Sequence, residues 1–305
     1  MRRHYKKRSS GFAEWPQKAN SEDFLIFPEN IGEYLSIDEL SLSHGELYTF
    51  VTNKSGKGKQ GTLVASIKGT LTKSIVSVLD KISLAKRRTV KEVTLDMANN
   101  MESAVIQSFP LARLVTDRFH VVRLATDAVQ HIRIKIRWDE LDKENNAIEE
   151  AKKSGVKYKT EVLANGDTPK QLLARSRYLL MKKSCFWTQS QKDRAALLFN
   201  RYPILKDAYE HTIEFRNIYE SKDIEIAHTK FTKWLEKTKV LNIKEFNTVA
   251  NTITNNFDNI LNFFYNRNTN ANAESFNAKV KLFRANLRGV IDNSFFLFRI
   301  SKLFA

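Results

Sequence analysis

The chain has 305 residues, with 50 Lys and Arg against 34 Asp and Glu, a formal net charge of +16 and a sequence pI of about 9.7. So large a positive excess excludes an electrostatically indifferent domain and points to a polyanion, most simply nucleic acid. A hydrophobic share of 42% with twenty Phe excludes global disorder, the single cysteine (Cys185) excludes an internal disulfide, and no run approaches the ~18 apolar residues of a membrane span.

Residues 1–30 place five basic residues in the first eight positions and hold no sustained period, so they read as a loosely ordered basic arm. No apolar run follows the basic start to make a signal peptide, and a reducing compartment is expected. From Tyr34 to Leu40 the residues alternate, with Leu35, Ile37 and Glu39 on one face and Tyr34, Ser36 and Asp38 on the other, which predicts a strand. The β-rich runs 46–52 and 62–68 predict two more strands, joined by a basic, glycine-containing hairpin turn over 54–61. The glycines at 56, 58 and 61 do not make a phosphate loop, because no Gly-Lys-Ser/Thr and helix follow them.

Leu71, Ile75, Val78, Leu79 and Ile82 recur at helical spacing, then 90–96 reads as a fourth strand. A short helix through Met101, Ala104 and Val105 stops at Pro110, and 111–116 reads as a fifth strand. The order β-β-β-α-β-α-β gives way after His120 to a helical tract extending to about Phe264, interrupted near Gly155, Pro169 and Pro203. The last segment predicts an amphipathic helix. Phe276, Val280, Phe283 and Leu287 form its apolar face, with Glu274, Asn277, Lys281, Arg284 and Arg288 opposite. The fold class is thus α/β with a large all-α block, divided as a basic arm 1–30, a sheet-bearing core 31–130, a helical segment 131–265 and a closing helix 266–305.

Six His and one Cys give no zinc spacing, and no His-Glu-x-x-His or Gly-x-Ser-x-Gly string occurs. Cys185, beside Phe186 and Trp187, reads as a small core residue, and Trp138 and Trp187 as core. Carboxylates at strand ends carry more chemistry. If the strands of Asp38 and Asp96 are neighbours, both acids emerge on one side of the sheet, and Glu274 heads a row of bases that suits a phosphate backbone. Three such acids meet the need of Mg²⁺, or a pair of ions roughly 4 Å apart, for few carboxylates and open positions. The basic clusters 86–88, 133–137 and 152–153 are further candidates for phosphate contacts.

With Asp117-Arg118-Phe119-His120 after the fifth strand, Leu95-Asp96-Met97 at the end of the fourth, and Asn270-Ala271-Asn272-Ala273-Glu274 followed by Asn277 and Lys281, the chain resembles the DDE transposases of bacterial insertion sequences. The likeness is to the Mutator-related branch with Asp-x-x-His that includes the ISL-three group, and it covers about residues 33–305. It implies an RNase H-like mixed sheet interrupted by a large all-α insertion, with Asp38, Asp96 and Glu274 as catalytic metal ligands for Mg²⁺ or Mn²⁺, two ions in all. Asp117 is the rival for the second acid; the motif gives Asp117 and His120 a supporting role, and Arg118, Asn277, Lys281, Arg284 and Arg288 are expected on DNA. The implied activity is cleavage and strand transfer at element ends, by a homo-oligomer in a bacterial cytoplasm at the nucleoid. Relatives usually carry an amino-terminal zinc-binding and helix-turn-helix region, so end recognition is expected from elsewhere: either a separate polypeptide supplies it, or this chain is the carboxy-terminal piece of a split or truncated gene. Two other readings keep the same residues: a different RNase H-like nuclease or resolvase, and a non-catalytic basic nucleic-acid-binding protein.

Overall fold

The computed structural model of the chain describes Lys6 and residues 10–42, 45–286 and 292–305. Six strands form one mixed sheet: β1 (Phe24–Ile26), β2 (Tyr34–Ser41), β3 (Leu47–Asn53), β4 (Leu63–Lys68), β5 (Glu92–Leu95) and β6 (Arg113–Thr116), in the order β1-β4-β3-β2-β5-β6. β2, β3 and β4 are antiparallel neighbours, whereas β5 runs parallel to β2 and β6 parallel to β5. The five expected strands are all present. The sixth, β1, comes from the segment expected to be a loose arm: Leu25 is buried in a three-residue strand paired with β4. A strand this short shows no period in sequence.

Alternation in β2 sorts its residues between two cores. Leu35 and Ile37 join Val93, Leu95 and the buried faces of α1 (Thr72–Leu79) and α3 (Asn99–Ser108), through Ile75, Val78, Leu79, Met101, Ala104 and Val105. A one-turn helix, α2 (Leu84–Arg87), links α1 to β5. On the other face Leu40, Tyr48, Phe50 and Leu63 pack with Phe276 and Val280 and with Phe296, Leu297, Ile300 and Phe304. Those residues belong to α12 (Ala271–Asn286) and α13 (Asn293–Phe304). The apolar carboxy-terminal run is therefore a core helix, and Phe12 and Trp15 cap it through ring contacts at 5.3 and 5.2 Å with Phe295 and Phe298.

The described chain forms two compact units, residues 1–120 with 258–305, and residues 121–257. The second unit contains most of α4 (Arg118–Lys153), then α5 (Pro169–Arg175), α6 (Gln189–Arg201), α7 (Pro203–Ile218), α8 (Ile224–Leu241) and α9 (Lys244–Asn255). Sequence fixes where several of these begin: Thr168 with Gln171 and Thr188 with Gln191 form reciprocal capping boxes, and Pro203 opens α7. Its core is aromatic, with Phe215, Phe231, Trp234 and Phe246 all buried.

Three expectations change. Cys185 is exposed in a 3-10 turn, Ser184–Phe186, and Trp138 is 59% exposed on α4. Apolar neighbours in sequence suggest core for both, but they lie where the backbone turns or faces solvent. Arg133, counted among surface bases, is buried, with its guanidinium donating to Gln130 and to the Leu173 carbonyl. No helix among the described residues is long and apolar enough to cross a membrane.

Candidate functional site

Strand register brings three aspartates to one end of the sheet. Ser36 of β2 is paired with Thr94 of β5, and Leu95 of β5 with Thr116 of β6. Asp38 and Asp96 each lie two residues beyond their paired positions, and Asp117 follows Thr116 directly, at the start of α4. A side chain at 38 has the parity of Leu40 and so faces the core that α12 covers. Asp38 is opposite Phe50 across the β2–β3 pair, and Phe50 meets Phe276 edge to face at 5.4 Å. The next residue of α12, Asn277, then reaches the carboxylate: its Nδ2 donates to Asp38 Oδ2 at 2.7 Å. Asp96 is held by a local turn in which its Oδ1 accepts from the Ala98 N–H at 3.0 Å.

Glu274 lies exposed in the first turn of α12. One ligand atom each from Asp117, His120 and Glu274 lie within 4.8 Å of one another. Asp117 is 1% exposed; its Oδ1 accepts from the Asn270 N–H at 3.2 Å, and its Oδ2 has no hydrogen-bond partner. Such a buried carboxylate oxygen is costly unless a cation or donor arrives.

The electrostatics agree with a site crowded by acids. Burial pushes Asp38 up from 3.8 to about 6, against donation from the Glu39 N–H and electrostatic attraction to the neighbouring His120; Asp96 and Asp117 add to the upward push. Burial and Asp96 also raise Glu39. Because the folded chain holds the Asp38 proton more tightly than the unfolded one, stability falls as pH rises from about 4 to about 6 and stays lower above it, by about 3 kcal/mol. Asp38→Asn removes that penalty and keeps an acceptor for Asn277. The metal-free variant is expected to be the more stable at pH 7.5 in thermal unfolding, with its advantage gone near pH 4; equal stability at pH 7.5 would contradict the burial argument.

A strap of asparagines fixes the approach to Glu274. It leaves α10 (Phe257–Leu261) and α11 (Phe263–Asn266), themselves tied down by Asn259 Nδ2 on Glu102 and Asn262 Nδ2 on the Leu114 carbonyl. Asn266 and Asn268 donate to the two carboxylate oxygens of Glu92 at 2.8 and 2.7 Å, Asn270 holds Asp117 through its N–H, and Asn272 Nδ2 reaches the Lys54 carbonyl at 3.2 Å. Glu92 and Lys54 are both buried, 3.7 Å apart, and Lys54 also donates to Thr94 Oγ1. Burial pushes the Lys54 amine down to about 8, an effect that Glu92 and Asp117 oppose. The turn carrying Lys54 is tight: a Cβ at Gly56 would sit 2.7 Å from the Thr62 backbone, and the Gly58 carbonyl accepts from Lys279 Nζ of α12 at 2.8 Å.

Glu274, Asp117 and His120 are thus brought together, while Asp38 and Asp96 stand at the neighbouring strand ends. Lys281 and Arg118 are exposed, as a phosphate contact requires. Two of the expected DNA contacts are engaged within the chain. Asn277 is buried and engaged with Asp38. Arg284 is buried as well: its Nη2 donates to Glu46 at 3.2 Å and to Asn293 Oδ1 at 2.8 Å, and it lies over the Phe296 ring. A straight helical projection set it opposite the apolar stripe, but α13 packs against that flank. Arg288 lies outside the described residues. Sequence reasoning missed Glu92 and Lys54, which look like ordinary surface charges; the readable signal was Asn at every second position from 266 to 272.

The donor set fits a divalent cation: hard carboxylate oxygens, one imidazole, a buried oxygen without a partner, and an exposed Glu274 that leaves one side open. No curated protein and no solved structure matches the chain. A family model described as a transposase matches residues 35–300, a span that begins in β2, ends in α13 and takes in Asp38, Asp96, Asp117, His120 and Glu274, and the chain belongs to that family, the ISL3-type DDE transposases.

Proposed function

We propose that this transposase cuts DNA and transfers the cut strand in a metal-dependent reaction, on a core of RNase H type in which residues 121–257 are the insertion between β6 and the Glu274 helix. One observation carries the reading: acids at the ends of three adjacent parallel strands are joined by Glu274, which arrives about 150 residues after His120 to lie within ligand distance of Asp117 and His120. Members of this family generally use divalent metals. Asp38, Asp96 and Glu274 would hold the ions. When bound, they supply activation of the attacking oxygen and charge stabilisation of the leaving one.

The chain's own groups prepare that chemistry. Asn277 orients Asp38, the Ala98 N–H turns Asp96, and the Asn270 N–H fixes Asp117. Mutual repulsion among the carboxylates makes the site a poor host for anything but a cation. Lys281 and Arg118 seat the phosphate backbone. In the hydrolytic step water attacks the phosphodiester at the element end and its P–O3′ bond breaks, leaving a 3′-hydroxyl and a 5′-phosphate; that hydroxyl then attacks a target phosphodiester in line, and the target strand's 3′-oxygen leaves. At least a dimer is expected on DNA.

The reading is tested with duplexes spanning the DNA that flanks the coding sequence. Cutting in Mg²⁺ or Mn²⁺ and none in chelator is expected; tight binding without a cut in either ion would favour the non-catalytic reading. The roles of the two bases on α12 separate cleanly. Lys281→Ala should lower the slope of log affinity against log salt by about 1, with unchanged melting. Arg284→Ala should leave that slope alone and lower stability by about 2–3 kcal/mol, because it strands Glu46. A salt slope altered by Arg284→Ala would return that residue to the DNA surface.

A further inference from the structure

We infer that Asp117, His120 and Glu274 form a cation position of mixed oxygen and nitrogen character, which selects a first-row transition ion over Mg²⁺. This rests on the metal-dependent reading above and adds to it a second ligand set that shares only Glu274 with the Asp38, Asp96 and Glu274 triad. The three ligand atoms come from two elements: Asp117 and His120 are three residues apart at the start of α4, so both project from one side of its first turn, and Glu274 comes from α12. Independently of that clustering, Asp117 Oδ2 is buried, has no hydrogen-bond partner, and faces His120 Nε2 at 4.0 Å, too far for a hydrogen bond. Its sister oxygen is already occupied by the Asn270 N–H, so rotating the carboxylate only exchanges which oxygen is orphaned. A cation between the two groups satisfies the oxygen and uses the imidazole lone pair together.

Geometry holds the imidazole for this task. The Phe119 ring meets His120 edge to face at 5.6 Å and 89°, and the His120 side chain is 33% exposed, so it is steadied without being sealed. Glu274 is exposed, which leaves further positions to water or a phosphate oxygen. Carboxylate-only positions suit Mg²⁺, whereas an imidazole ligand shifts preference toward the later first-row ions, with affinity rising from Mn²⁺ towards Cu²⁺. Metal preference at this position is therefore set by His120.

The test is pulsed electron paramagnetic resonance of the full chain loaded with Mn²⁺ alone, read beside Mg²⁺-supported cleavage. Wild type is expected to show nitrogen coupling from a directly bound imidazole. His120→Ala and His120→Gln should each lose it and bind Mn²⁺ at least about tenfold more weakly. Excess Mg²⁺ should remove uncoupled Mn²⁺ before the nitrogen-coupled ion. Bound Mn²⁺ without nitrogen coupling in wild type, or coupling that survives both His120 variants, overturns the assignment. If Mg²⁺-supported cleavage persists in either of those cases, the metal-dependent reading stands and this site alone falls; no Mn²⁺ bound at all removes both.

Discussion

Asp38→Asn, Asp96→Asn and Glu274→Gln are each expected to reduce DNA cleavage by roughly three orders of magnitude or more, about 4 kcal/mol of transition-state stabilisation, with DNA affinity nearly unchanged. The separation arises because the acids and the bases are different groups. On the proposed reading, affinity would depend on phosphate contacts by residues such as Lys281 and Arg118, both exposed, whereas the acids would contribute through the ions they hold. A variant that still cuts at the wild-type rate removes its residue from the triad. Asp117→Asn belongs in the same series, because Asp96 and Asp117 directly follow Leu95 and Thr116, the last paired residues of adjacent parallel strands. Lost cleavage at 117 with retained cleavage at 96 would exchange their roles.

The second large effect is structural and lies outside the acids. Glu92→Ala leaves Lys54 buried without its counter-charge and deprives Asn266 and Asn268 of both acceptors. Breaking a buried pair from one side costs about 3–5 kcal/mol, and here the same carboxylate anchors the strap that leads into α12. Glu92→Ala should therefore lower the thermal midpoint and cleavage together, since Glu274 follows Asn266 by only eight residues. Glu92→Gln keeps one carbonyl acceptor and should fall between Glu92→Ala and wild type. Wild-type melting of Glu92→Ala would mean that the strap is held elsewhere.

Strand order was legible because β2 to β6 are short, β-branched or alternating runs, and alternation in β2 correctly sent Asp38 to the face opposite Ile37. The helical tract was legible from period and from breaks at Gly155, Pro169 and Pro203. Less could be read wherever a long-range neighbour decides the environment. β1 exists only through its pairing with β4, and Arg284 is buried only because α13 returns across α12. Asn277 looked like a polar surface residue, yet Phe276 packing on Phe50 turns it onto Asp38. Glu92 and Lys54 gave no local sign of burial, since a charged pair inside a sheet is visible only once β5 and the 54–61 turn are brought together. For the site itself, the motif spacing named the acids, but the proximity of His120 to both Asp117 and Glu274 is a property of the fold.

The most direct measurement is joining of a pre-cut element end, presented as a duplex with a free 3′-hydroxyl, to a supercoiled target in Mg²⁺ and in Mn²⁺. Covalently joined product with wild-type protein, absent with Glu274→Gln and in chelator, is the expected result. Nicked target with no joined strand would make this site a nuclease without transfer, and neither product in either metal would contradict metal-dependent chemistry at these acids.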